Sequence, residues 1–347
     1  MKIAQILPSL AAFGPIFVAQ NLTNALRAKG HTVDVYYFDN KLGLDFGTSS
    51  KRIRPNQPID FDSYDIIHTH GFRPDRYVHK YRHKITIAKT VSTIHQNIYM
   101  DFKSLYGVTR AVLYTPYWIY FLRTKDALVP ISEHIHSIYH NVLRRITRHI
   151  YNGVAINSLT AERQINVCNA IKKISSKSKY TVGLYAVLTP RKRIDQIIKL
   201  AKLRSDIAVV IIGDGPQKTK LQELASDISE RVLFIPSIPQ PYNYLDNIDV
   251  FLMLSNSEGF GLALIEAVAT KTPAVCSNIP VMRELFTEEE VSFFELDDLN
   301  SLSAAIDRAI FNSTTLAQNA YNKYLEKYSV ESMGNEYIKL YSELIQQ

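Results

Sequence analysis

The sequence predicts an α/β fold made of two doubly wound parallel sheets, each with helices on both faces. Three observations predict it. Short β-rich runs alternate with helix-period segments, which is the pattern of strands buried on both sides. The alternation occurs twice within 347 residues, a length that suits two cores better than one. The charge also changes between the halves. Residues 1–176 carry 23 Lys and Arg against 11 Asp and Glu, and residues 177–347 carry 17 against 22.

Taken in order, strands are expected at KIAQIL, TVDVYYF, YDIIHTH, TIAKTVSTIH and ALVPIS in the first half. In the second they are expected at YTVGLYA, IAVVIIG, RVLFIP, DVFLML and PAVCSN. The start, MKIAQILPSLAAFGPIFVAQ, has the lysine and apolar run of a signal peptide. Pro8 and Gly14-Pro15 break that run, and it continues into an amphipathic segment ending at Gly30. Strand, loop and helix therefore describe it better. No stretch has the ~20 apolar residues of a membrane-spanning helix. The nearest, AVLYTPYWIYFL at 111–122, is too short. The seam is expected near residue 170, in the polar Lys- and Ser-rich stretch 166–179, giving domains 1–170 and 171–330. The tail has apolar spacing at Met333, Tyr337, Leu340, Tyr341 and Leu344, which predicts one last helix over about 331–347.

Cys168 and Cys276 are the only cysteines, too few for a disulfide framework. That suits a reducing, cytoplasmic compartment. A basic first half suits an anionic partner, whether nucleic acid, acidic lipid or a phosphate-bearing substrate, or is simply a solvated surface.

The most informative stretch is SNSEGFGLALIE, 255–266. A strand ends, a polar loop follows, and a helix starts after Gly259-Phe260-Gly261. Glycines let a ligand approach the backbone, and a helix start offers unpaired N–H groups to an anion. Glu258 falls in the loop and Glu266 more than one turn into the helix. A carboxylate accepts two hydroxyl hydrogen bonds, so a vicinal diol suits it. The pattern fits a nucleotide sugar, with phosphates on the amides and one carboxylate each for ribose and hexose. The plain alternative is a capped helix with a solvated glutamate.

This stretch, with IIGDGP (211–216) before it and PAVCSNIP (273–280) after it, resembles the retaining family-4 glycosyltransferases of GT-B fold. DIIHTHG (65–71), TIHQN (93–97), VPIS (129–132) and IYNGVAINSL (150–159) extend the resemblance over nearly the whole chain. It implies two Rossmann-like domains facing a cleft, with the last helix crossing back to the first. It implies a metal-independent hexosyltransferase that retains anomeric configuration. Glu266 would hold the ribose, Glu258 would bond the donor hexose, and the amides of Phe260, Gly261 and Leu262 would meet sugar and diphosphate. Lys192, in LTPRKRID, falls where the family lysine neutralises the leaving diphosphate. The family arginine falls on Val187, so Arg191 or Arg193 is expected to replace it. Of the family's Gly-Gly turn near the amino terminus only Gly14 remains. His95 matches a histidine near donor sugar and acceptor and is a candidate to orient or deprotonate an acceptor hydroxyl. No metal or cofactor is expected beyond the donor, a UDP-sugar.

Two other features admit more than one reading. His68 with His70, and His136 with His140, resemble parts of metal sites, but neither pair has a third ligand. The stretch 99–125 mixes Tyr, Trp, Phe and Leu with Lys and Arg. It suits an anionic membrane interface, or a tyrosine-rich core helix pair. No nucleic-acid motif accompanies it. The expected function is transfer of a sugar to a glycan or lipid-linked acceptor in cell-surface polysaccharide synthesis. The expected location is cytoplasmic, peripheral on the inner face of the cell membrane. A sugar-nucleotide epimerase, a phosphorylase, or a nucleotide-binding module without catalysis are the alternatives. The donor sugar, acceptor, linkage and oligomeric state are not encoded in any pattern recognised.

Overall fold

The computed structural model describes residues 1–143, 145–156 and 165–347, without the side chains of residues 101, 104 and 105. The end of IYNGVAINSL, residues 157–159, lies outside the described residues. The chain forms two compact units, Met1–Val154 with Lys327–Gln347, and Ala155–Glu326.

In the first unit β1 (Lys2–Leu10), α1 (Gly14–Ala28), β2 (Thr32–Leu42), β3 (Ser50–Arg52), β4 (Ile66–His70) and α2 (Phe72–Lys80) come first. Then follow β5 (Lys89–Ile94), α3 (Ile98–Tyr106), α4 (Val108–Leu122), β6 (Ala127–Pro130) and α5 (Glu133–Tyr139). The sheet order is β3-β2-β1-β4-β5-β6, with every pair parallel. Pro8 does not end β1 as its ring suggested. Pairing with β4 covers Ile3 to Ile6, so the missing N–H falls beyond that ladder, and β2 still pairs Leu7 with Tyr37 and Ser9 with Asp39. Pro15 sits in the first turn of α1, where a missing N–H costs nothing.

The second unit runs α6 (Ile165–Ser175), β7 (Tyr180–Tyr185), α7 (Asp195–Leu203), β8 (Ile207–Ile212), α8 (Lys218–Leu224), β9 (Val232–Ile235) and β10 (Val250–Met253). It continues through α9 (Leu262–Ala269), β11 (Ala274–Ser277), α10 (Pro280–Leu285), β12 (Ser292–Phe294), α11 (Leu299–Phe311) and α12 (Ser313–Lys323). Its sheet is β12-β11-β10-β7-β8-β9, again parallel. Its core is aliphatic, with Val182, Val209, Ile211, Val250, Leu252 and Val275 on the strands. The ten expected strands are all present. The two unexpected ones, β3 and β12, have three residues each, too few to show a period.

The units divide at Val154, earlier than the change in composition suggests. Ile171 and Ile174 of α6 are buried, and the helix packs against β8, β9 and the turn Pro241–Asn247 of the second unit. Of the residues that marked the seam, Lys172 and Lys173 are its solvated face. At the other end the chain rejoins the first unit at Lys327, before α13 (Val330–Ile345). Met333, Tyr337, Leu340, Tyr341 and Leu344 of α13 are all buried, as their spacing predicts. The Asn152-Gly153-Val154 step serves this return. Val154 N–H donates to the Tyr328 carbonyl at 2.9 Å, and a Cβ on Gly153 would lie 2.7 Å from Val330 Cα.

The contact of α13 with α1 is equally close. A Cβ on Gly334 would lie 2.6 Å from the Ala25 Cβ. Neither group can swing away, so Gly334→Ala should destabilise the first unit by about 1–3 kcal/mol. Thermal unfolding checks this, and a melting temperature equal to wild type would show that the helices separate freely.

Candidate active site

In the second unit the loops leaving β7 and β10 are laced together. The chain after β7 makes a single 3-10 turn at Pro190–Lys192. Asn256 N–H, in the loop after β10, donates to the Arg191 carbonyl at 3.0 Å, and the Arg191 guanidinium donates to the Ser257 carbonyl. Between these loops sits Glu258. Lys192 Nζ donates to its Oε1 at 2.6 Å, and Arg191 Nη1 lies 3.1 Å from its Oε2. The Glu258 side chain is only 9 % exposed. Burial works against its charge, but Lys192 and then Arg191 outweigh burial and hold the carboxyl below its usual range. Two cations thus share one carboxylate and leave one positive charge over.

Arg193 goes elsewhere. It takes a left-handed conformation with φ 48°, and its guanidinium binds Asp297, with Asp195 at 3.6 Å. Of the two candidates to replace the arginine missing at Val187, the structure gathers Arg191 to Glu258 and turns Arg193 away.

Other motif residues brace these loops. A Cβ on Gly213 would lie 1.9 Å from the Ala186 oxygen, and one on Gly215 would lie 2.6 Å from the Leu188 nitrogen and oxygen. Leu188 N–H donates to the Asp214 carbonyl at 2.9 Å. IIGDGP is therefore the support of the Lys192 loop, and its glycines are demanded by backbone approach. Ser277 of PAVCSNIP donates to the Ser255 carbonyl at 2.5 Å and steadies the loop that carries Glu258.

Gly261 opens α9 with φ 88°, and a Cβ there would lie 2.6 Å from Met282 Cε. Phe260 is buried beside it, and no side chain caps the helix. The N–H groups of Gly261 and Leu262 donate to no described residue. They are the unsatisfied donors that a helix start offers. Glu266, one turn further, receives the Tyr185 hydroxyl at 2.8 Å. Burial raises the Glu266 carboxyl to about 7, and the Tyr185 hydrogen bond works against that rise.

In the first unit three histidines share the ends of β4 and β5. The His68 and His70 rings lie 4.3 Å apart, and His70 Nδ1 is 3.0 Å from His95 Nε2. His68 is hydrogen-bonded at both nitrogens, to the Tyr341 hydroxyl and to Thr93 Oγ1, each at 2.7 Å. Tyr337 reaches the same Thr93 oxygen at 2.7 Å, so α13 is bonded into the histidine row. Burial depresses His68 and His95 to about 3 and His70 well below its usual value. All three rings are neutral at neutral pH. Gly14 stands at the first turn of α1, just beyond β1. His136 and His140 stack, with ring centroids 5.9 Å apart, and His136 lies 3.4 Å from Glu133. Among the described residues no group of three or more His, Cys, Asp or Glu is arranged to hold a metal.

Residues 169–327 match the family described as glycosyl transferases group 1. The chain is a glycosyltransferase, and its second unit resembles the group 1 family. It is 29 % identical over 363 residues to the O-antigen biosynthesis glycosyltransferase WclY of Escherichia coli, covering 100 % of this chain and 99 % of that protein. Its fold matches that of Anabaena HepE in complex with UDP-glucose, with a TM-score of 0.79, 17 % identity, and coverage of 99 % of this chain and 100 % of that one. Sucrose-phosphate synthase from Thermosynechococcus elongatus matches with a TM-score of 0.78 and 19 % identity, covering 100 % of this chain and 99 % of that one.

The glycosyltransferase carries site residues that its sequence did not announce. Tyr185 is the last residue of a strand predicted for its apolar run, and nothing in that run marks its hydroxyl as the partner of Glu266. Ser277 and the glycines of IIGDGP were visible as motifs, but not as props for the Lys192 and Glu258 loops.

The Glu266 carboxyl also predicts a pH dependence. An acid whose folded value, about 7, lies above its reference value of 4.5 favours the fold below the lower value, and that benefit is lost as pH rises through the upper one. Glu266→Gln keeps an acceptor for Tyr185 and removes the ionisation. The variant should match wild type below pH 4.5 and exceed it above pH 7 by on the order of 1–3 kcal/mol. Denaturant unfolding at a series of pH values measures this, and parallel curves would show that Glu266 ionises without cost.

Proposed function

We propose that this glycosyltransferase moves a hexose from a UDP-sugar to a glycan or lipid-linked acceptor in cell-surface polysaccharide synthesis, retaining anomeric configuration and needing no metal ion. The observation that carries the reading is the Arg191–Lys192–Glu258 cluster beside the open start of α9. A departing nucleoside diphosphate gains negative charge as the bond to the anomeric carbon breaks. The charge left over by the cluster, with the N–H groups of Gly261 and Leu262, is placed to stabilise it in the absence of a divalent cation. Glu258 holds Lys192 in one rotamer before the donor arrives and meets the hexose. Glu266, oriented by Tyr185, accepts from the ribose diol. His95 meets the donor sugar or the acceptor. The O-antigen assignment of WclY and the UDP-glucose bound to HepE support the choice of pathway and donor.

Donor binding and turnover separate these roles. Glu266→Ala should weaken UDP binding by on the order of 2–3 kcal/mol in calorimetry, through lost hydrogen bonds to a charged group. Lys192→Ala should lower kcat by at least about tenfold, with a smaller effect on UDP affinity, because its charge matters most as the diphosphate leaves. Product stereochemistry by NMR, measured with a chelator present, tests retention and metal independence together. An inverted product, or activity abolished by the chelator, refutes those parts of the reading.

The acceptor side of the reading rests on α3 and α4. Ala111, Trp118, Phe121 and Leu122 face inward, and Val112, Leu113, Tyr114, Tyr117 and Tyr120 are exposed. Trp118 is only 8 % exposed and its Nε1 donates to Asp75 at 2.8 Å, so it is not the inserting residue its type suggested. The outward face, with exposed Lys103, Arg110 and Arg123, suits an anionic bilayer surface. No described helix is long and apolar enough to cross a membrane. The protein should float with anionic vesicles at low salt, and Leu113→Glu should weaken the part that survives at high salt. Failure to float on anionic lipid at low salt would leave the basic surface for a phosphorylated acceptor.

A further inference from the structure

His70 has a buried nitrogen with nothing to bond, and the reason for keeping it lies in its neighbour. His70 is 2 % exposed, and its Nε2 has no partner among the described residues. Its other nitrogen, Nδ1, is 3.0 Å from His95 Nε2. Both rings are neutral, so one proton lies between them and its side decides what His95 offers. If His95 were the donor, His70 would carry its own proton on Nε2, and that N–H would be buried and unpaired. If His70 Nδ1–H is the donor, only a lone pair is left unpaired at its Nε2. Buried orphan donors are rarer than buried orphan acceptors. The second arrangement puts the remaining proton of His95 on its Nδ1. That nitrogen bonds no described residue, and His95 keeps part of its surface exposed.

We propose that His70 is a positioning residue that locks the tautomer of His95, so that His95 presents Nδ1–H to the substrate as a hydrogen-bond donor. The proposal rests on the reading that places His95 at the substrate. It excludes one role considered for this residue. An imidazole whose Nε2 already accepts from His70, and whose Nδ1 carries a proton, does not take the proton of an acceptor hydroxyl. His95 instead donates to an oxygen, either a sugar hydroxyl or a phosphate. His70 itself touches no substrate. Its neighbour His68, fixed at both nitrogens by Tyr341 and Thr93, packs against its ring and keeps it in place.

The test is nitrogen NMR of the histidine side chains in the full chain, with His95 assigned by loss of its signals in His95→Gln. The wild type should show His95 protonated at Nδ1. His70→Leu should lose that single tautomer. His70→Asn, whose amide nitrogen stands where Nδ1 stood, should retain it. On an established donor–acceptor pair His70→Leu should lower kcat about tenfold, the worth of one hydrogen bond, and His70→Asn should recover most of the loss. His95 protonated at Nε2 in the wild type overturns the proposal whatever the activity. Equal kcat in His70→Leu and wild type overturns the positioning role. The NMR measurement needs no substrate, so it holds or fails independently of the UDP titration that tests the donor site.

Discussion

A buried charge persists in a protein only where an opposite charge or several hydrogen bonds meet it. A parallel sheet covered on both faces leaves its strand ends as the places where that can happen. In the second unit Glu258 is brought into such a place after β10, and Lys192 and Arg191 are drawn to it from the loop after β7. The rest of the site follows from keeping these two loops together. The glycines of IIGDGP let the β8 loop press against Ala186 and Leu188, and Ser277 reaches across from β11 to hold Ser255.

The first unit obeys the same constraint with a different outcome. Asp75 is fully buried and is met by Thr69 at 2.5 Å, Trp118 at 2.8 Å and Lys125 at 4.0 Å. Burial raises the Asp75 carboxyl and lowers the Lys125 ammonium to about 8, and the partner's charge works against the shift in each case. Among the described residues this cluster makes no hydrogen bond or ion pair to Glu258, Glu266, Lys192 or His95. Its work is to fasten α4 through Trp118, which frees the opposite face of that helix, with Leu113 and its tyrosines, to stay exposed. Charge braces the fold here and gathers at the candidate site in the second unit. Pairing geometry separates the two cases. Lys125 is sealed from solvent, whereas Arg191 keeps 43 % of its side chain exposed.

The histidine row shows a third way of meeting a buried polar group. His68, His70 and His95 are held neutral, and a chain of hydroxyls from Tyr337, Tyr341 and Thr93 satisfies His68. Two of those hydroxyls come from α13, at the far end of the sequence. The last helix therefore does more than close the first unit. It fixes the ring against which His70 packs, and His70 in turn packs against His95.

The sequence by itself determined the two sheets, ten of the twelve strands found among the described residues, the last helix, and the placing of Glu258, Lys192 and Glu266 at strand ends or helix starts. It did so because apolar period and glycine position are local quantities, and a parallel strand declares itself by its own residues. The family resemblance added roles to those positions. What only the tertiary structure decided were pairings between segments distant in sequence. Arg191 and Arg193 are two residues apart and equally basic, yet only Arg191 reaches Glu258, because Arg193 takes a left-handed turn onto Asp297. Trp118 and Leu113 lie on one aromatic helix, yet one is a buried donor to Asp75 and the other faces outward. Tyr185 became the partner of Glu266, and His70 the partner of His95, through packing across 81 and 25 residues of chain. A side chain's charge and size are written at its own position, but its hydrogen-bond partner is chosen by where the fold brings the other end.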